Sequence, residues 1–165
     1  MGNCYLSRRN PFAPKYELLN CVYPIDEDGM PMGEVIIPSG VVTLSKYICS
    51  ENSKVTGIQL PITVLNFEDE CFKNSKNLVK VGCPDKLQEI SKDCFLNCSS
   101  LEEIYLPKAL TTIKSSAFEN CTALKVVLFN DNAVTFDVYD RAFYNCTQLT
   151  NEDINYIAKN MTPKG

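Results

Sequence analysis

Four prolines, Pro38, Pro61, Pro84 and Pro107, stand 23 residues apart, and no other feature of this chain restricts its fold so strongly. A fixed period of 20–50 residues marks a chain that repeats one small structural unit. Apolar residues keep the same step. One column holds Val35, Ile58, Val81, Ile104 and Val127, and the next holds Ile37, Leu60, Cys83, Leu106 and Phe129. Two more run through Val55, Leu78, Leu101 and Leu124, and through Leu44, Phe67, Ile90 and Ile113. Phe72, Phe95, Phe118 and Phe143 form a fifth, its last step stretched to 25. Five columns in phase do not arise by chance.

Each unit has a local reading. The stretch "LEEIYLP", residues 101–107, alternates apolar and polar positions as a half-buried strand does. Proline then withholds a ladder donor and ends the strand. "LTTIKSSAF" follows with Ile113 and Phe118 expected to point inward, and the Asn-Cys step turns the chain into the next strand. One unit cannot bury its apolar side alone, whereas stacked units share a core, so the period predicts a solenoid. Strands of successive units then lie about 4.8 Å apart in a parallel sheet.

Units such as "LPKALTTIKSSAFENCTALKVVLF" resemble the BspA-type leucine-rich repeat, with its proline, Ile, Ala-Phe, Asn-Cys and Leu in order. The likeness covers residues 35–149. It departs in the first coil, "SKYICSENSKVTGIQLP", where Cys49 or Ser50 replaces the Phe and the register slips by one residue. A two-residue insertion around "DNAVTFDVYD" predicts a longer turn in the last coil. The resemblance implies a leucine-rich-repeat solenoid: a parallel β-sheet of about five coils, an irregular or second-strand convex side, and a short C-terminal capping helix. It also implies surface adhesion or protein recognition, often in proteins secreted or displayed by bacteria and protists.

Composition narrows the chemistry. The chain has no histidine, the commonest proton shuttle and metal ligand near neutral pH. It has seven glycines, none of them clustered, and no nucleophile motif or phosphate loop. No enzyme, cofactor or metal site is therefore expected. A net charge of −4 offers no general attraction to nucleic acid. No apolar run reaches the roughly 18 residues of a membrane span, and the first twenty residues lack the apolar stretch of a secretory signal.

Nine cysteines raise the question of thiol chemistry. Cys98, Cys121 and Cys146 occupy equivalent positions, and Cys49, Cys71 and Cys94 are read as a second column continued by Ala117 and Ala142. Alanine in the same column argues for small buried fillers rather than ligands. Asn74, Asn97, Asn120 and Asn145 should form a ladder that satisfies open backbone groups at each turn. Their match to the glycosylation acceptor pattern at Asn97, Asn120 and Asn145 follows from the repeat itself. "DEDG" at 26–29 has no Glu near the twelfth position of a calcium loop and reads as a solvated turn. Met1-Gly2-Asn3-Cys4 lacks the Ser or Thr at position 6 that a myristoylation signal wants.

Three segments are expected: a non-repeat arm or cap over 1–33, the solenoid over 34–149, and a capping helix with tail over 150–165. The arm carries Pro11, Pro14, Pro24 and Pro31 among many aromatics, and reads either as a cap on the first coil or as a segment docked on another subunit. In the last segment Thr150 or Asn151 should N-cap a helix. Ile154, Ile157, Ala158 and Met161 should share its face, and Pro163 and Gly165 should end it. Outward strand positions should form two columns: Glu34, Gly57, Lys80, Glu103 and Val126, beside Ile36, Gln59, Gly82, Tyr105 and Leu128. Binding is expected there, as a recognition, adhesion or scaffold module, chiefly through Gln59, Lys80, Glu103, Tyr105, Val126 and Leu128. The partner would be a protein, either on a host surface or among other virion subunits, or further copies of the chain. The second of these fits a bacteriophage structural protein, to which chains ending in an "LTNEDI"-like helix look similar. Location is open between virion, cytoplasm and, after loss of an export signal, the cell surface.

Overall fold

The structure, a computed structural model, describes residues 2–4, 27, 32–46, 48–129, 136–153, 157 and 161–164. Its long sheet joins β2 (Gly33–Ile36), β4 (Val55–Gln59), β6 (Lys80–Gly82), β8 (Glu103–Leu106) and β10 (Val126–Phe129), all parallel and in sequence order. Five strands, one per unit, make four full turns between the first and the last. The other side of each coil carries a short strand: β3 (Val41–Leu44), β5 (Asn66–Phe67), β7 (Glu89–Ile90), β9 (Thr112–Ile113) and β11 (Phe136–Tyr139). The period therefore reports a solenoid of stacked coils.

The expected inward columns are inward. Val35, Val55, Leu78, Leu101, Ile104, Leu124, Leu44, Ile90 and Ile113 are wholly buried, and Val81, Val127 and Phe67 nearly so. Each coil buries only one edge of its apolar set, and stacking completes the core at roughly 1.5–3 kcal/mol per side chain removed from water. Prolines end the first four strands of the long sheet and also start the turn that follows. The carbonyls of Pro61, Pro84 and Pro107 accept from Val64, Leu87 and Leu110 at 3.1, 2.9 and 3.0 Å.

The third corner is a tight turn whose backbone also ladders between coils. Phe72 N donates to Cys94 O at 2.9 Å, Phe95 N to Ala117 O at 2.8 Å, and Phe118 N to Ala142 O at 2.7 Å. Inside it the phenylalanine rings stack, with centroids 5.1 Å apart for Phe72 and Phe95, 5.2 Å for Phe95 and Phe118, and 5.1 Å for Phe118 and Phe143. The 25-residue step survives here because the insertion lies upstream of β11, whose Val138 pairs with Ile113.

Three expectations need correction. Cys49 does not begin the small-residue column. Its N–H bonds Cys71 O as Phe72 bonds Cys94 O, so Cys49 stands in the phenylalanine column and Ile48 fills the place of Cys71. The slip lies in the long sheet instead, between Gly33 and Glu34 where β2 meets β4. Met161 and Pro163 do not belong to the terminal helix. They lie in β12 (Met161–Lys164), which pairs parallel with β11. Proline is tolerated there because an outermost strand needs fewer ladder donors.

At the helix start Thr150 is the N-cap. Asp153 N donates to Thr150 Oγ1 at 3.2 Å, and Thr150 N donates to Asp153 Oδ2 at 3.0 Å, a reciprocal cap. Ile157 is helical and buried, as expected, while Ile154 and Ala158 lie outside the described residues. Gly2–Cys4 forms β1, which pairs parallel with β3. The rest of the N-terminal proline-rich stretch, and the "DEDG" turn apart from Glu27, lie outside the described residues.

Candidate recognition face

Parallel pairing fixes which outward side chains meet. Glu34, Gly57, Lys80, Glu103 and Val126 occupy one rung series through all five strands. In the neighbouring series Ile36 is opposite Gln59, and Gly82, Tyr105 and Leu128 are opposite one another in turn. All six candidate residues, Gln59, Lys80, Glu103, Tyr105, Val126 and Leu128, therefore share one face of the long sheet. Their burial differs: Lys80 and Gln59 are exposed, Leu128 is half exposed, and Glu103, Tyr105 and Val126 are intermediate.

The charges on this face are matched within it. Lys80 Nζ lies 3.4 Å from Glu103 Oε2, and Gln59 Nε2 donates to Glu34 Oε1 at 3.0 Å. One row earlier, Lys125 Nζ lies 2.6 Å from Glu102 Oε2. Exposed pairs of this kind contribute about 0–1 kcal/mol each. Apolar exposure extends beyond the candidates to Ile36 and Val79. Val79 escaped the sequence reading because it sits just outside the two outward columns.

The cysteines do different work from what their spacing suggests at first. Cys98, Cys121 and Cys146 thiols donate to the carbonyls of Phe72, Phe95 and Phe118 in the preceding coil at 3.0, 3.2 and 3.1 Å. Ser75 occupies the same position and its hydroxyl donates to Cys49 O at 2.6 Å. The column thus supplies a small donor to a buried carbonyl, not merely a filler. Burial pushes the Cys83, Cys98 and Cys146 thiols up to about 12, and drives Cys94 and Cys121 well above the ordinary range. Thiols held protonated in the core are poor nucleophiles and poor ligands. Among the described residues no cluster of Cys, Asp or Glu is placed to hold a metal ion.

The asparagines form the expected ladder with unexpected partners. Asn97 Nδ2 donates to Asn74 Oδ1 at 2.7 Å, Asn120 to Asn97 at 2.8 Å, and Asn145 to Asn120 at 2.9 Å. All four residues have φ near +60°, where asparagine is among the best-tolerated residues after glycine.

Comparison with known sequences agrees with this architecture. The model of the BspA type leucine rich repeat region matches in six copies over residues 28–160. The chain belongs to the BspA-type leucine-rich repeat family. No curated protein matches it. Among solved structures it is similar to a leucine-rich repeat protein from Bacteroides ovatus, with TM-score 0.57 and 20% identity over 81% of this chain. It is also similar to a leucine rich cell surface protein from Faecalibacterium prausnitzii, with TM-score 0.59 and 21% identity over 88% of this chain. The match takes in 51% of the first protein and 38% of the second. At these identities the likeness is one of fold. Among the described residues no helix is long and apolar enough to cross a membrane.

Proposed function

We propose that this chain is a non-enzymatic protein-recognition or adhesion module that binds through the outward face of its long sheet. The observation that carries this reading is the register of five parallel strands, which aligns Gln59, Lys80, Glu103, Tyr105, Val126 and Leu128 on one surface. Repeat proteins bind through such extended surfaces of equivalent positions. Lys80 and Glu103 order the middle of the face, while Tyr105, Val126 and Leu128 supply apolar contact at one end. The family supports protein partners, and likeness to a leucine rich cell surface protein of Faecalibacterium prausnitzii fits display at a cell surface. The virion alternative has no observation behind it and is not carried further.

A photo-crosslinking residue placed at Leu128 or Gln59, compared with one at Lys92 on the turn side of the coil, tests the reading. In extract of the source organism, discrete protein adducts should form from the sheet positions alone. Adducts that form equally from Lys92, or only from it, would put the binding surface elsewhere.

A further inference from the structure

Gly82 lies in β6, the central strand of the long sheet. Glycine weakens a strand because it brings no side chain to pack and loses more backbone freedom on folding. Three structural causes commonly account for it, and none applies here. Among the described residues the glycines in the left-handed region are Gly33 and Gly40, not Gly82. The rungs run through it without a bulge, Lys80 to Glu103, Val81 to Ile104 and Gly82 to Tyr105. A Cβ built on Gly82 would meet no atom within 4 Å. Gly57 differs: it follows the irregularity between β2 and β4, and its Cβ would lie 3.6 Å from Glu34 Cγ. Gly82 alone leaves an open gap that nothing within the described fold requires, and close approach by another molecule is the remaining cause.

We infer that the gap over Gly82 is the anchor position of the recognition face and takes an uncharged aliphatic or aromatic side chain of a protein partner, laid beside Tyr105. The inference rests on the reading that the sheet face binds protein and names the partner chemistry for it. Charge decides the class of side chain. Lys80 and Glu103 neutralise each other beside the gap, and Gln59 on its other flank is engaged with Glu34. A charged newcomer would have to break one of these pairs. The floor offers few hydrogen-bonding groups, since β6 is laddered to β4 on one side and β8 on the other. Apolar contact remains: Tyr105 stands on the same rung, and half-exposed Leu128 is next in the same series. Buried aromatic and aliphatic anchors carry most of the affinity in protein interfaces, and a gap of one side chain suits one anchor.

The test selects peptides from a random display library on the full chain and measures their binding to Gly82→Val, Gly82→Ala, Leu128→Asp and Lys92→Ala variants. Gly82→Val should melt at or above the parent temperature, since a β-branched residue suits a strand and its Cβ meets no atom within 4 Å. Selected peptides should share an aliphatic or aromatic position, and lose at least tenfold in affinity to Gly82→Val and less to Gly82→Ala. Lys92→Ala should change nothing. Peptides that lose affinity to Leu128→Asp but bind Gly82→Val unchanged would overturn the anchor and leave the sheet-face reading standing. Peptides indifferent to both substitutions would overturn both. A library yielding only acidic or basic consensus peptides, or no clone sensitive to Gly82→Val, also overturns the anchor.

Discussion

Removing the side chain of Asn97 measures how much the asparagine ladder holds. Asn97 is bonded on both sides, donating to Asn74 at 2.7 Å and accepting from Asn120 at 2.8 Å, and its φ is +61°. In Asn97→Ala both bonds are lost, at about 1 kcal/mol net each. The left-handed backbone also loses its best-suited side chain, which adds about 1 kcal/mol. The expected cost is about 3 kcal/mol, or roughly 6–12 °C in melting temperature for a chain of this size. Asn97→Gly loses the same bonds but accepts the dihedral, so it should recover about 1 kcal/mol of that cost. Asn145 has the same left-handed φ but makes one ladder bond, at 2.9 Å, and is exposed, so Asn145→Ala should cost about 2 kcal/mol at most, against about 3 for Asn97→Ala. Urea unfolding followed by far-ultraviolet circular dichroism gives all three values. If Asn97→Gly is as damaging as Asn97→Ala, the backbone argument fails. If Asn145→Ala costs as much as Asn97→Ala, the two-sided ladder is not what stabilises the turn.

The phenylalanine stack makes a parallel test: Phe95, wholly buried between two rings, should cost about 3–5 kcal/mol on truncation to Ala, and the partly buried terminal Phe143 clearly less, by the same unfolding assay. Buried thiols predict alkaline lability. The folded-state values of Cys83, Cys98 and Cys146 are raised to about 12 from 9.0, so below pH 9 their contribution is intact. Above it the unfolded chain releases protons that the folded chain retains, and stability falls by about 1.4 kcal/mol per pH unit per thiol until the folded values are reached. Melting temperature should therefore drop steeply between pH 9 and about 11. Cys98→Ser should soften that drop while costing little at pH 7, because Ser75 already fills the equivalent position with a hydroxyl donor. A flat melting profile to pH 11 would contradict the protonated core.

The inward columns were legible because strand alternation and the 23-residue step act on every coil alike. Ile104 and Leu106 alternate with Glu103 and Tyr105, and both buried positions are visible within one coil. Thr150 was legible as an N-cap for a similar reason: its bonds to Asp153 span three residues. The site was legible only as a list of outward positions. That Lys80 pairs with Glu103, and that nothing fills the space over Gly82, depends on the neighbouring coil. Cys49 was read both in place of the Phe and in the small-residue column; the 23-residue step to Phe72 already favours the first, and the bond from Cys49 N to Cys71 O bears it out.

By itself the sequence determined the period, the strand-ending prolines, the buried columns and the family, since each is written in spacing that any single coil displays. The tertiary structure decided the contacts between coils, whose side-chain partners are 20–28 residues apart. The asparagine amides turned toward one another because stacked coils bring them within 2.7–2.9 Å, and the thiols found the preceding phenylalanine carbonyls for the same reason. It also decided where the ladders stop. β5 pairs with β3 and β7 with β9, but β5 and β7 do not pair with each other, and there the Ser91 hydroxyl donates to Phe67 O. β1 and β12 extend those same sheets at opposite ends. Strand addition of that kind uses backbone groups, which every residue but proline carries in full, so no side-chain pattern announces it.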